Sequence, residues 1–171
     1  MVLQLKISSL ILVMRCIEFA QGSSLYPRES TSREIKSLDG LWKFRTSPSL
    51  EPNLGFDLKW YENFTMWNSD LTVRDMPVPS SYNDISTESN LRDFVGWAWY
   101  YRKFYVSNSW LDKKVMLRFG SVHYTAEVWI NGNNVGGHSG GHLPFEMEIS
   151  QYVEFSRENN IVVAVNNTLT P

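Results

Sequence analysis

Only one cysteine, Cys16, occurs among the 171 residues, and it lies close to the N-terminus. A chain that begins at Ser23 has no thiol, which excludes disulfides and cysteine-ligated metal. Net charge is also scarce: 16 Lys and Arg against 18 Asp and Glu leave −2. That balance gives no reason to expect electrostatic capture of nucleic acid. No apolar run approaches the ~20 residues needed to span a bilayer. No stretch sustains a helical period, and no internal repeat is visible. No cofactor-binding motif is present, and no cofactor is expected.

What is abundant is aromatic surface: 7 Trp, 8 Tyr and 9 Phe, or 14% of the chain. Residues 1–22 read as a secretory leader. Lys6 supplies its positive end, Ile7 to Met14 a short apolar core, and Ala20-Gln21-Gly22 the small residues a signal peptidase needs. Arg15 and Glu18 interrupt the apolar stretch. A secreted chain would be lysosomal or extracellular, and two Asn-x-Thr sequons, at Asn63 and Asn166, become glycosylation candidates.

Residues 23–171 read as one all-β domain. Ser23 to Ser37 is polar and is expected to be an irregular lead-in. Leu41, Trp42 and Phe44 follow an Asp-Gly turn as a strand. Phe56 to Trp67 is expected to hold one short helical turn. Pro77 and Pro79 restrict Asp75 to Ser81 to an extended edge. Gly96 to Val106 is almost free of breakers and should be a long strand. Lys114 to Gly120 and Tyr124 to Ile130 alternate apolar and polar residues. Asn131-Gly132 is a strong hairpin turn. Gly136 to Gly141 holds four glycines in six residues and is expected to be a loop. Phe145 to Ile149 and Ile161 to Val165 complete the strands. Short strands with regular turn signals argue a β-sandwich or jelly roll.

Several segments carry a resemblance: Leu38-Asp39-Gly40-Leu41-Trp42-Lys43-Phe44, Met76-Pro77-Val78-Pro79-Ser80-Ser81, Phe94 to Phe104, Val128 to Gly132 and Leu143-Pro144-Phe145-Glu146. In order and spacing they resemble the N-terminal domain of the β-glucuronidase family. These are retaining glycoside hydrolases, grouped with β-galactosidase and β-mannosidase. The resemblance runs from about Leu25 to Pro171 and implies a galactose-binding-domain-like jelly roll. It also implies that further strands of this domain follow Pro171, so that the sandwich in this chain lacks its last strands and leaves an edge open. Asn166 matches a sequon position of the family. The resemblance implies a glucuronide substrate only in the context of a full-length enzyme. It further implies a homo-oligomer, or pairing with a full-length β-glucuronidase.

Retaining hydrolysis needs two carboxyl groups ~5–5.5 Å apart. The resemblance places both, as glutamates, on a downstream barrel, the acid/base one after an asparagine. No Asn-Glu dipeptide exists here, so no catalytic residue is expected in this chain. Glu146 and Glu148 share a strand face ~6.5–7 Å apart, but read more simply as its solvated side. His138 and His142 flank a glycine turn that cannot be helical, so no metal site is expected. Trp97, Trp99 and Tyr101 fall on one face of a strand. They are a candidate sugar-stacking platform, or else core. The alternative to a hydrolase domain is a truncated carbohydrate-binding or subunit-pairing module without activity.

Overall fold

The structure is a computed structural model and describes residues 3–8, through their backbone, and 27–169. In chain order, β1 is Leu3–Ser8, β2 Ile35–Ser37 and β3 Gly40–Thr46. The short helices α1 (Leu54–Asp57) and α2 (Met66–Ser69) follow, then β4 (Arg74–Val78). Next come α3 (Tyr82–Ile85), α4 (Ser89–Arg92), β5 (Trp97–Tyr105), β6 (Lys114–Phe119) and β7 (Thr125–Ile130). The chain ends in β8 (Asn133–Ser139), β9 (Phe145–Glu148) and β10 (Glu158–Asn166). Two antiparallel sheets form: β2-β1-β6-β9, and β4-β3-β5-β10-β7-β8. The all-β sandwich read from the alternation is therefore present.

Between the sheets lies the main core. The larger sheet contributes Trp42, Phe44, Ala98, Tyr100, Ala126, Val128 and Val163. The smaller contributes Val115, Leu117, Phe119, Phe145 and Met147. These positions alternate along each strand, as one buried face requires. Pro77 sits in β4, which is an edge strand of the larger sheet, where a missing N–H costs least.

The larger sheet is apolar on its other face as well. Trp99, Tyr101, Trp129, Val162 and Ala164 form a second cluster with Trp60 and Trp67 from the 54–69 segment. That segment, expected to hold one helical turn, forms two and folds down as a cover. Phe56 meets the edges of Trp97 and Trp99 at centroid distances of 4.9 and 4.8 Å. Trp67 stacks on Tyr101 at 5.3 Å, and Tyr61 on Trp129 at 4.7 Å. The polar ring atoms are satisfied: Trp99 Nε1 donates to Ser47 Oγ at 3.1 Å and Tyr101 OH to Asn160 Oδ1 at 2.8 Å. Arg45, from β3, lies 3.7 Å above the Trp60 ring and donates to Asp70 at 2.8 Å. This cation clamps the end of the cover to the sheet.

Two expectations need correction. Gly136 and Gly137 are not a loop; they lie in β8, an edge strand. A Cβ on Gly137 would overlap the Glu127 carboxylate, so glycine permits the close pairing there. Ile35–Ser37, expected to be irregular, pairs with β1. Within the expected leader, Leu3–Ser8 is a strand, while residues 9–22, including the cleavage motif, lie outside the described residues.

One buried polar knot holds the far hairpin. Asn159 is fully buried, and its Oδ1 accepts from Asn131 Nδ2 at 2.8 Å and from the Glu154 N–H at 2.7 Å. Asn131 Oδ1 in turn accepts from the Asn160 N–H at 2.8 Å. Asn131 has φ 51°, as its turn with Gly132 requires.

Two outcomes follow from this packing. A Cβ on Gly55 would overlap the Trp99 indole, so Gly55→Ala should destabilise the domain by about 1–3 kcal/mol in urea unfolding. Asp70 is held below the ordinary carboxylate pKa, chiefly by hydrogen bonds from the Thr72 hydroxyl and N–H and further by Arg45. A depressed folded pKa contributes stability above the unfolded value, ~3.9, that fades as pH falls through the lower folded value. Thermal melts from about pH 5 down to about pH 2 should therefore fall less steeply for Asp70→Asn than for the wild type.

Candidate functional site

A cleft of about 510 Å³ opens where β4, β6 and β10 end. The Ser80–Asp84 segment forms one wall, Ser121–Tyr124 another, and Val165 and Asn167 a third. The Pro77–Ser81 turn positions the first wall: the Ser80 hydroxyl donates back to the Pro77 carbonyl, and α3 begins at Tyr82.

The chemistry inside is polar and mostly committed. Asn83 Nδ2 donates to the Arg92 and Phe94 carbonyls at 2.8 and 3.2 Å. Asn167 Nδ2 donates to Phe94 O at 2.9 Å, and its Oδ1 accepts from the Gly96 N–H at 2.9 Å. These two amides hold the 92–96 loop to the end of β10. Tyr82 is 5% exposed, and its buried hydroxyl has no hydrogen-bond partner among the described residues. Burial pushes its pKa up to about 12. Burial, and secondarily the nearby Tyr82, also raise Tyr100. His123 and His142 approach at 3.4 Å between ring nitrogens. Among the described residues, Asp84 is the only carboxylate lining the cleft. One carboxylate cannot supply the acid and nucleophile of glycoside hydrolysis. Sequence reasoning singled out Met76 to Ser81 but not Tyr82, Asn83 or Asn167, which only the meeting of three strand ends brings together.

The other candidate residues fall elsewhere. Trp99 and Tyr101 are 0% and 2% exposed beneath the aromatic cover, and Trp97 is half-buried against Phe56. Of the two readings of this face, platform or core, the packing is that of core. Glu146 pairs with Arg118 at 2.7 Å and Glu148 with Lys114 at 3.2 Å. Each carboxylate thus faces a cation on the neighbouring strand. His138 stacks on Phe145 at 4.2 Å. Among the described residues, no group of three or more His, Cys, Asp or Glu is placed to hold a metal. Asn63 is exposed, and its Oδ1 accepts from the Thr65 hydroxyl at 2.9 Å. Asn166 is half-buried at the end of β10, and its Oδ1 accepts from the Thr168 N–H at 2.8 Å.

The described residues include no helix long and apolar enough to cross a membrane. Residues 35–169 match the family described as glycosyl hydrolases family 2, sugar binding domain. The chain is 47% identical over 165 residues to the β-glucuronidase of Mus musculus, covering 94% of this chain and 25% of that protein. It is 48% identical over 166 residues to that of Homo sapiens, with the same coverage. Among solved structures, a β-glucuronidase from an uncultured Clostridium sp. superposes with a TM-score of 0.77 at 44% identity, covering 86% of this chain and 24% of that one. Ruminococcus gnavus β-glucuronidase superposes at 0.78 and 36% identity, covering 89% and 24%. The chain therefore spans about a quarter of the length of the curated relatives it matches. With its two-sheet sandwich and this match over most of its length, the chain belongs to the sugar-binding-domain family of family 2 glycosyl hydrolases and corresponds to the N-terminal portion of the β-glucuronidases.

Proposed function

We propose that this chain is a non-catalytic scaffold domain of a β-glucuronidase-type hydrolase. The observation that carries the reading is near-half identity to β-glucuronidases over about a quarter of their length, and the two glutamates that share a strand face, Glu146 and Glu148, are each tied to a cation. In this reading the domain braces a catalytic domain that supplies both glutamates, and the substrate class is the β-glucuronides. The R. gnavus relative was solved in complex with D-glucuronic acid, which supports that class for the enzyme as a whole.

The domain would act by rigidity. Its larger sheet is packed on both faces, so the loops at its strand ends are held to a stiff support. Its cleft residues Ser81, Asp84 and His123 offer polar contacts at the end of the sandwich to whatever packs there. Secretion through residues 1–22, with glycans on Asn63 and Asn166, belongs to the same reading. Assembly as a homo-oligomer, or with a full-length β-glucuronidase, belongs to it too.

Purified chain incubated with an aryl β-glucuronide should show no turnover above buffer. Turnover that disappears in Glu146→Gln would overturn the non-catalytic reading. Expressed through a secretory pathway, the protein should carry two glycans. Asn63→Gln and Asn166→Gln should each remove one glycan mass, read by intact mass spectrometry before and after enzymatic deglycosylation; an unglycosylated product would refute the secretory part.

A further inference from the structure

Two connections cross between the sheets at one end of the sandwich. Residues 120–124 lead from β6 in the smaller sheet to β7 in the larger, and residues 140–144 lead back from β8 to β9. Their ends are tied together. Phe119 pairs with Phe145 across β6 and β9, and Thr125 with Ser139 across β7 and β8. The two crossovers therefore run side by side, and each carries one histidine. His123 Nε2 and His142 Nδ1 lie 3.4 Å apart, although 19 positions separate them in the chain. His138, four positions before His142, stacks on Phe145 instead.

The backbone beside both rings is held. The Gly140 N–H donates to the Tyr124 carbonyl at 2.8 Å, and the Tyr124 N–H to the Asn166 carbonyl at 2.7 Å. The Ser121 hydroxyl donates to the Gly141 carbonyl. Gly141 is buried, and a Cβ there would overlap the His123 ring. The ring thus packs directly on glycine backbone, which limits how far it can turn away from His142. Both histidines are exposed, so an ion reaches them from solvent. Among the described residues, those that line the cleft beside His123 include one carboxylate, Asp84, and no Lys or Arg to repel a cation.

The spacing of the two nitrogens has a chemical meaning. Two imidazole nitrogens bound to one tetrahedral zinc at about 2.0–2.1 Å stand ~3.3–3.4 Å from each other. The facing nitrogens already have that separation. Without an ion, one ring donates its N–H to the lone pair of the other. To take an ion, the donor ring moves that proton to its other nitrogen. Both facing nitrogens then present lone pairs, and both rings stay neutral.

We propose that His123 and His142 form a two-imidazole site for a divalent transition-metal cation. Imidazole donors suit zinc, nickel or copper rather than magnesium or calcium. Among the described residues no third His, Cys, Asp or Glu completes the pair, so water fills the other positions and the ion exchanges with solution. Bound there, it staples the two crossovers together at the mouth of the cleft. The site rests on the packing of the crossovers and is independent of the scaffold reading.

The test uses the full chain with Cys16→Ser, which removes a competing thiol, after stripping with a chelator. Zn²⁺ and Ca²⁺ are titrated by isothermal calorimetry. One zinc should bind per chain, and calcium should not bind. His123→Gln and His142→Gln should each weaken zinc binding at least about tenfold, because a single imidazole has no chelate partner. The double variant should be no weaker than either single one, since each change removes the same chelate. His138→Gln should bind as the parent does. Zinc should also raise the melting temperature of the parent but not of the double variant. Metal-free melts show whether each variant folds. A readout on the parent alone covers a variant that does not: substoichiometric Ni²⁺ should broaden the His123 and His142 ring resonances first. Absence of zinc binding, unchanged binding in either single variant, loss of binding in His138→Gln, or broadening centred elsewhere overturns the site. Calcium binding as tight as zinc overturns its imidazole character.

Discussion

The indole of Trp99 lies against the backbone of Gly55 with no room for a side chain between them. That contact is where the 54–69 segment closes on the outer face of the larger sheet. Trp99 stands in β5, and β5 and β10 run side by side in the middle of the six-stranded sheet. Their inner faces belong to the core between the sheets, and their outer faces to the Trp60–Trp67 cluster. A central strand pair that is apolar on both sides needs a cover, or it presents a large hydrophobic patch to water. The cover is built almost wholly from aromatic residues because a segment with only two four-residue helices has little regular structure to bury. Large flat rings give it area at few degrees of freedom.

The same requirement explains the clamp at the cover's end. Arg45 leaves the sheet on the outer face, lies over Trp60 and reaches Asp70. Its guanidinium is partly buried, which by itself lowers its pKa, and the Asp70 carboxylate works in the opposite direction. An unpaired cation there would be costly, so the pair ties the ion balance of the site to closure of the cover. Opposite, on the smaller sheet, Arg118 and Glu146 form a second buried ion pair across β6 and β9. This pair joins neighbouring strands, so a slip of one residue between β6 and β9 would break it and exchange charged and apolar positions.

The strand layout was readable because alternation is local. β6, β7 and β9 each put apolar residues at every second position, and Asn131-Gly132 marked the hairpin between β7 and β8 by its own φ requirement. The edge position of β4 was readable from its prolines. The cover was not readable, since aromatic density in Phe56 to Trp67 says that something is buried but not against what. For the same reason the alternation that groups Trp97, Trp99 and Tyr101 on one face leaves a sugar platform open beside the core reading that it favours. The cleft was illegible for another reason: Tyr82, Tyr100, His123 and Asn167 lie on four separate stretches and share no spacing.

Family membership, the all-β class, the sites of the sequons and the lack of a catalytic Asn-Glu pair are properties of the residue order alone. They depend on identity and on neighbours within a few positions, which any conformation of the chain preserves. Which face of β5 meets water, which cations answer Glu146 and Glu148, and which strand completes the smaller sheet are decided only by folding. Each depends on contacts between residues tens of positions apart. Leu3–Ser8 is the clearest case. Its local pattern suits both a leader and a strand, and only the bare side of β6, more than a hundred residues away in the chain, makes it a strand.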